Sequence, residues 1–383
     1  MKTALACLAV AFTVTSVTVN AQKSEGIPQF QVDALWPKPL PNKWILGQVS
    51  GIATDKYDRI WVVHRPRSLT PRERAAEGNP PDSKCCVAAP PVLVLDPSGN
   101  LLFTWGGPGA GYEWPESEHG VFVDANDFVW LAGNGTTDGQ LLKFTMEGKF
   151  VLQIGKQGSG NDSNSTMRLG SPADVAVDTA AKEVFAADGY ANRRVVVFDS
   201  ETGAYKRHWG AYGKRPSDEK TPPYDPAKPP APQFANPVHC VRLSADGLVY
   251  VCDRTHDRLQ IFRKDGSFVS EHIFEKATRG TGSVYDLVFS PDHAQRYIYM
   301  ADGVNEKVKI IDRQTLKELT TFGDGGRQPG QFYGVHSIAT DTKGNIYTTE
   351  TYEGKRLQRF LAKGMAPVTA MNQGALAVWP KSK

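Results

Sequence analysis

The sequence has almost no excess charge of either sign. Lys plus Arg number 44 against 41 Asp plus Glu in 383 residues, a net charge of +3, so there is no electrostatic reason to expect a nucleic-acid partner. No membrane span is predicted. The one long apolar run, Ala4 to Val19, is short for crossing a bilayer, and nothing like it recurs. Stretches of helical period are scarce and no heptad repeat is sustained, which excludes a coiled coil. What is present is an ordinary globular composition, 40% hydrophobic and 22% charged, with 36 Gly and 26 Pro. That excludes a disordered or collagenous chain and points to many short strands joined by turns. The apolar run follows Lys2 and ends in the small-residue sequence Val19-Asn20-Ala21, the pattern of a signal peptide over residues 1–21 cut after Ala21. The mature chain is expected to be exported, periplasmic or secreted. No feature fixes an oligomeric state.

Cysteine is sparse. Of five, Cys7 falls in the expected signal, leaving Cys85, Cys86, Cys240 and Cys252, which export allows to pair in three ways.

Self-comparison decides the architecture. The segments 171–199 (SPADVAVDTAAKEVFAADGYANRRVVVFD) and 236–263 (NPVHCVRLSADGLVYVCDRTHDRLQIFR) share one template. A β-rich run and a turn lead to a second run ending in Asp, then a polar loop, a third alternating run, a Gly turn and a fourth run. The unit recurs around 51–106, 120–155, 286–323 and 337–360, giving six units. Runs of this length, rich in Val, Ile, Phe, Tyr and Trp, are strands. Four strands repeated six times bury their faces by radial stacking, so residues 22–383 are predicted to form an all-β, six-bladed β-propeller. The last unit has a weak fourth run, which residues 30–35 or 367–378 are expected to complete. Insertions at 66–91 and 212–234 break the repeat, and both are expected to open on the channel-mouth face and narrow it.

Aligning the units on the start of the innermost strand gives Ser50, His119, Asp174, His239, Asp286 and His336. Histidine occupies alternate units, one third of a turn apart, so three imidazoles can converge on the axis as a metal site with an open position, for which zinc is the expected ion. At the exit of the second strand stand Arg65 in unit one and Arg254 in unit four, with Tyr190 one residue further in unit three. A guanidinium fork suits a carboxylate, and a phenol beside a metal and a cation can be poised to ionise. In unit four a three-residue turn, Ala245-Asp246-Gly247, sets Cys240 opposite Cys252, within disulfide reach.

The run Pro172-Ala173-Asp174-Val175-Ala176-Val177-Asp178, followed by Val195-Val196-Val197-Phe198-Asp199, resembles the NHL repeat. Asp188-Gly189-Tyr190-Ala191-Asn192-Arg193-Arg194, with Trp209-Gly210 and Asp253-Arg254, is similar to peptidyl-α-hydroxyglycine α-amidating lyase. The resemblance implies zinc on His119, His239 and His336, a catalytic Tyr190, and a substrate carboxylate held by Arg65 and Arg254, in a C–N lyase releasing glyoxylate. The chain departs from the family at Glu118, Val238 and Val335, where Pro usually precedes each histidine, and at Ala191, where a cysteine is usual. The acidic residue associated with a structural calcium is Ser337 here, so zinc carries over better than calcium. The expected partner is a small-molecule or peptide substrate bearing a carboxylate. Two rival readings are a non-catalytic propeller that binds a protein or glycan, and a metal-dependent propeller hydrolase.

Overall fold

A computed structural model describes residues 26–376, so the expected signal peptide lies outside the described residues. Six four-stranded antiparallel sheets stand around an axis, five of them laid down in chain order from the inside outward. The innermost strands are Gln48–Thr54, Glu118–Val123, Pro172–Asp178, Val238–Leu243, Val284–Phe289 and Val335–Thr340. The sixth sheet is completed from the other end of the chain: Ile27–Val32 pairs with Leu357–Ala366 as its outermost strand. Of the two closing candidates the N-terminal one is used. Residues 370–374 lie instead along blade five, where Thr321 bonds to Met371 O and pairs with Asn372. Among the described residues no helix is long and apolar enough to cross a membrane.

The core is distributed. Each apolar cluster fills the wedge between two successive blades, as where Trp61, Val63 and Val92 of blade one meet Val121, Val129 and Phe144 of blade two. The last such wedge joins Ala339 and Tyr347 of blade six to Val49, Ile52 and Ile60 of blade one, which seals the ring. Lone four-stranded sheets have no such faces to bury, which is why stability requires the closed circle.

Two local devices repeat. In blades one, two and six the inner strand ends in an Asp whose carboxylate accepts turn amides and a ring donor: Asp55 from Trp61 Nε1 at 2.9 Å, Asp124 from Trp130 Nε1 at 2.9 Å, and Asp341 from the Tyr347 hydroxyl at 2.9 Å. At the end of the second strand, Asp188, Asp253 and Glu350 each accept a backbone amide from the segment entering their own blade. Each is also paired with a base near the start of strand three, Arg194, Arg258 and Arg356. These carboxylates are structural. Truncating one would strand its guanidinium, most severely at Asp188–Arg194 and Asp253–Arg258, where both side chains are fully buried.

Segment 66–91 is tied down rather than loose, since Val87–Ala88 pairs in parallel with Trp44–Ile45. Segment 212–234 is without strands and is pinned by Arg258, which donates to Ala231 O and Gln233 O.

Candidate metal centre

Every inner strand is irregular at the same place. In blade four Val238 pairs with Asp253 and Cys240 with Cys252, so His239 between them has no cross-strand partner. Corresponding register shifts occur in all the other blades. An extra unpaired residue bends the strand and re-aims its side chain, and here the re-aimed residues converge. By this pairing the equivalents of His239 are Ser50, His119, Ala173, Tyr285 and His336. The sequence register had Asp174 and Asp286 at the histidine address; the structure places Ala173 and Tyr285 there, with the acids one residue later. The shared acids are aligned with each other, but the bulge shifts them off the histidine position.

One ring nitrogen from each of His119, His239 and His336 lies within 4.8 Å of the others, and all three residues are buried. Ring centroids are 4.8 to 5.0 Å apart. Each Nδ1 faces the backbone carbonyl of the equivalent residue in the next blade: His119 with Ala173 O at 2.7 Å, His239 with Tyr285 O at 2.6 Å, His336 with Ser50 O at 2.9 Å. A carbonyl only accepts, so Nδ1 carries the proton and Nε2 keeps its lone pair in all three rings. Burial pushes each imidazole well below the usual histidine range, and the Arg254 cation acts in the same direction on all three, joined by Arg65 at His119 and His336. The buried Nε2 of His239 has no hydrogen-bond partner. Three neutral imidazoles with carbonyl-anchored Nδ1–H groups and converging lone pairs form a donor set that fits a divalent ion.

The rim residues named from the sequence gather at this end. The Tyr190 hydroxyl lies 3.0 Å from His119 Nε2 and 3.2 Å from Arg254 Nη1. With Nε2 an acceptor, the phenol donates to His119 and accepts from Arg254. Arg254 also donates from Nε to Thr281 O at 3.0 Å, and its guanidinium lies over the Tyr285 ring at 4.7 Å. Arg65 is held by Glu118 O at 2.9 Å, Gln48 Oε1 at 2.9 Å and Asn134 Oδ1 at 3.0 Å. Cys240 and Cys252 are bonded through sulfur with a Cα separation of 4.8 Å, one residue from His239, and Cys85 is bonded to its neighbour Cys86.

Sequence reasoning missed Tyr285. Its ring stands 5.4 Å from His239 and 5.8 Å from His336, its hydroxyl is 2.6 Å from Thr281 Oγ1, and its carbonyl anchors His239. Burial raises its phenol to about 12, so it stays protonated. Gly303 makes room for it, since a Cβ there would come within 2.6 Å of the ring. Aligning blade five on its strand pairing rather than on Asp286 would have found it.

No family model matches the chain. Rat peptidylglycine alpha-amidating monooxygenase is 27% identical over 332 residues, which cover 82% of this chain and 30% of that protein. A Caenorhabditis elegans protein named as a probable peptidyl-alpha-hydroxyglycine alpha-amidating lyase is 24% identical over 324 residues, 83% of each chain. Mouse NHL repeat-containing protein 3 is 26% identical over 247 residues, 62% of this chain and 58% of that one. A solved Bacteroides thetaiotaomicron protein of unknown function shares the fold with a TM-score of 0.51 at 14% identity, over 83% of this chain and 70% of that one. The chain thus spans less than a third of the length of the amidating monooxygenase, and nearly the same extent as the worm protein. It is an all-β, six-bladed propeller whose homologues are amidating monooxygenases, a lyase-like protein and NHL-repeat proteins.

Proposed function

We propose that this protein is an exported, zinc-dependent lyase that cleaves the C–N bond of an N-acyl-α-hydroxyglycine, releasing an amide and glyoxylate. The observation that carries this reading is the Tyr190 hydroxyl, set between a histidine of the trio and a guanidinium at 3.0 and 3.2 Å. The order of groups matches such a substrate: a carboxylate for the arginines and, one carbon away, a hydroxyl for the histidine end. A zinc ion held by His119, His239 and His336 supplies Lewis-acid stabilisation of the substrate's hydroxyl oxygen.

The chain's own groups do the rest. Arg254, fixed by Thr281 and the Tyr285 ring, and Arg65, held by Glu118 O, present their guanidinium groups to the carboxylate. With the His119 Nε2 lone pair taken up by the ion, the Tyr190 phenol loses the acceptor to which it donates and gives up that proton to solvent, and as the phenolate Tyr190 Oη accepts the hydroxyl proton. The oxygen's electron pair becomes the aldehyde C=O of glyoxylate, the C–N bond breaks, and the amide nitrogen leaves with its electron pair and takes up a proton. Segments 66–91 and 212–234 flank the mouth and restrict what reaches it. The partner is therefore a small-molecule or peptide substrate, not a nucleic acid, and the place of action is the periplasm or the medium.

The test is incubation of the zinc-loaded protein with N-acyl-α-hydroxyglycines, measuring glyoxylate and free amide. Stoichiometric formation of both is expected. Zinc bound with no glyoxylate from any acyl group would refute the lyase and favour a non-catalytic propeller that binds a protein or glycan.

A further inference from the structure

Beneath the histidines a single arginine joins the blades. Arg242, on the inner strand of blade four, forms ion pairs through Nη1 with Asp174 of blade three and through Nη2 with Asp286 Oδ1 of blade five, the latter at 2.7 Å. Its Nε donates to Leu287 O at 3.1 Å and Nη1 to Val241 O at 2.9 Å. The carboxylates also hold backbone: Asp174 accepts from Val241 N at 3.0 Å, and Asp286 accepts from Leu287 N at 2.8 Å and, in blade six, from Ile338 N at 3.2 Å. Arg242 also lines a cavity of about 120 Å³ with Thr54, Phe122 and Thr340.

The two acids are not placed arbitrarily. Asp174 follows Ala173, and Asp286 follows Tyr285, the residues whose carbonyls face His119 and His239. Each carbonyl shares one planar peptide unit with the nitrogen of the acid after it, so fixing the acid fixes the direction of the carbonyl. We infer that Arg242 is a positioning residue for the metal centre: through Asp174 and Asp286 it orients the carbonyls that set the tautomer and aim of His119 and His239. This rests on the metal reading of the three histidines.

The third histidine lacks this brace. Blade one has Gly51 at the corresponding position, where a Cβ would come within 2.4 Å of His119 O. The Ser50 carbonyl that serves His336 is steadied instead by hydroxyls, with Ser50 Oγ donating to Glu118 O at 2.8 Å and Ser337 Oγ donating to Ser50 O at 2.9 Å. Arg242 therefore governs two of the three ligands.

Removing Arg242 alone would leave two buried carboxylates unbalanced and endanger folding. The test uses Arg242→Lys, which keeps the charge without the fork, and the triple variant Asp174→Asn, Arg242→Met, Asp286→Asn, which removes all three charges together. Full-length proteins are compared for zinc affinity, by competition with a chromophoric chelator, and for the visible absorption of the Co²⁺-loaded form. Both variants should bind zinc about 10- to 100-fold more weakly and show altered Co²⁺ bands. Arg207→Met, which breaks the ion pair with Glu183 away from the channel, should change neither. Unchanged zinc affinity and Co²⁺ spectrum in both variants overturn the role of Arg242 while leaving the metal site intact. A wild-type protein that binds neither ion overturns the metal reading and this inference with it.

Discussion

Replacing His239 by alanine separates what the imidazole does for the fold from what it does for an ion. The ring is 2% exposed, its Nδ1 donates to Tyr285 O over 2.6 Å, and its Nε2 has no partner. Deleting it leaves the Tyr285 carbonyl unpaired, a cost of about 1 to 3 kcal/mol, but also removes a buried unpaired nitrogen whose desolvation costs a similar amount. These terms oppose each other, so the metal-free variant should lose chiefly the packing of the ring, about 2 kcal/mol. With zinc the difference widens. At free zinc 100-fold above its Kd the ion adds about 2.7 kcal/mol to wild-type stability. If losing one ligand of three weakens binding about 100-fold, the same concentration adds only about 0.4 kcal/mol to the variant. The assay is urea unfolding of both proteins, with chelator and at fixed free zinc, without reductant so that Cys240–Cys252 stays bonded. The zinc-dependent increment should shrink by about 2.3 kcal/mol, on the same arithmetic. An equal increment in the two proteins would show that His239 is not a ligand.

Tyr190→Phe keeps the ring but deletes the oxygen that lies between His119 and Arg254, so kcat should fall by about 10² to 10⁴ with zinc content unchanged; an unaltered kcat removes Tyr190 from the proton transfer. Arg254→Lys cannot hold Thr281 O and the Tyr190 hydroxyl at once, and should raise KM and lower kcat/KM for a carboxylate substrate with metal retained. Equal turnover by the wild type of a carboxylate substrate and its neutral amide would dismiss the arginine assignment. His64, buried between Gly47 N and Pro90 O, has its pKa pushed down to about 4 by burial. Its folded value lies below the unfolded one, so its stabilisation is whole above about pH 6.5 and is lost as pH falls toward 4, amounting to about 3 kcal/mol. His64→Gln should flatten the pH dependence of unfolding free energy between pH 7 and 4.5; a slope identical to wild type would contradict this.

Much of this was legible from residue order alone, because a propeller writes its architecture as a period. Four runs per unit, six units, and histidine in alternate units depend only on spacing, and spacing survives into structure when every blade turns by the same angle. The turns after the inner strands are equally local, since Asp55, Asp124 and Asp341 bind amides within four residues of themselves, though the sequence reading did not single them out. What resisted reading were matters of register and closure. A bulge adds one residue to a strand without any change in hydrophobic pattern, so Asp174 and Asp286 took the address that belongs to Ala173 and Tyr285. Both candidate closing segments were apolar, and only the packing of Phe30 and Val32 against Tyr299, Phe322 and Phe360 selects the N-terminal strand. The carbonyls that hold the imidazoles are backbone atoms, identical in every residue and invisible in a sequence. The sequence determined which side chains could reach the axis. The closed ring decided their tautomers, their anchors and the arginine beneath them, since those depend on distances between residues as far apart as Ser50 and His336.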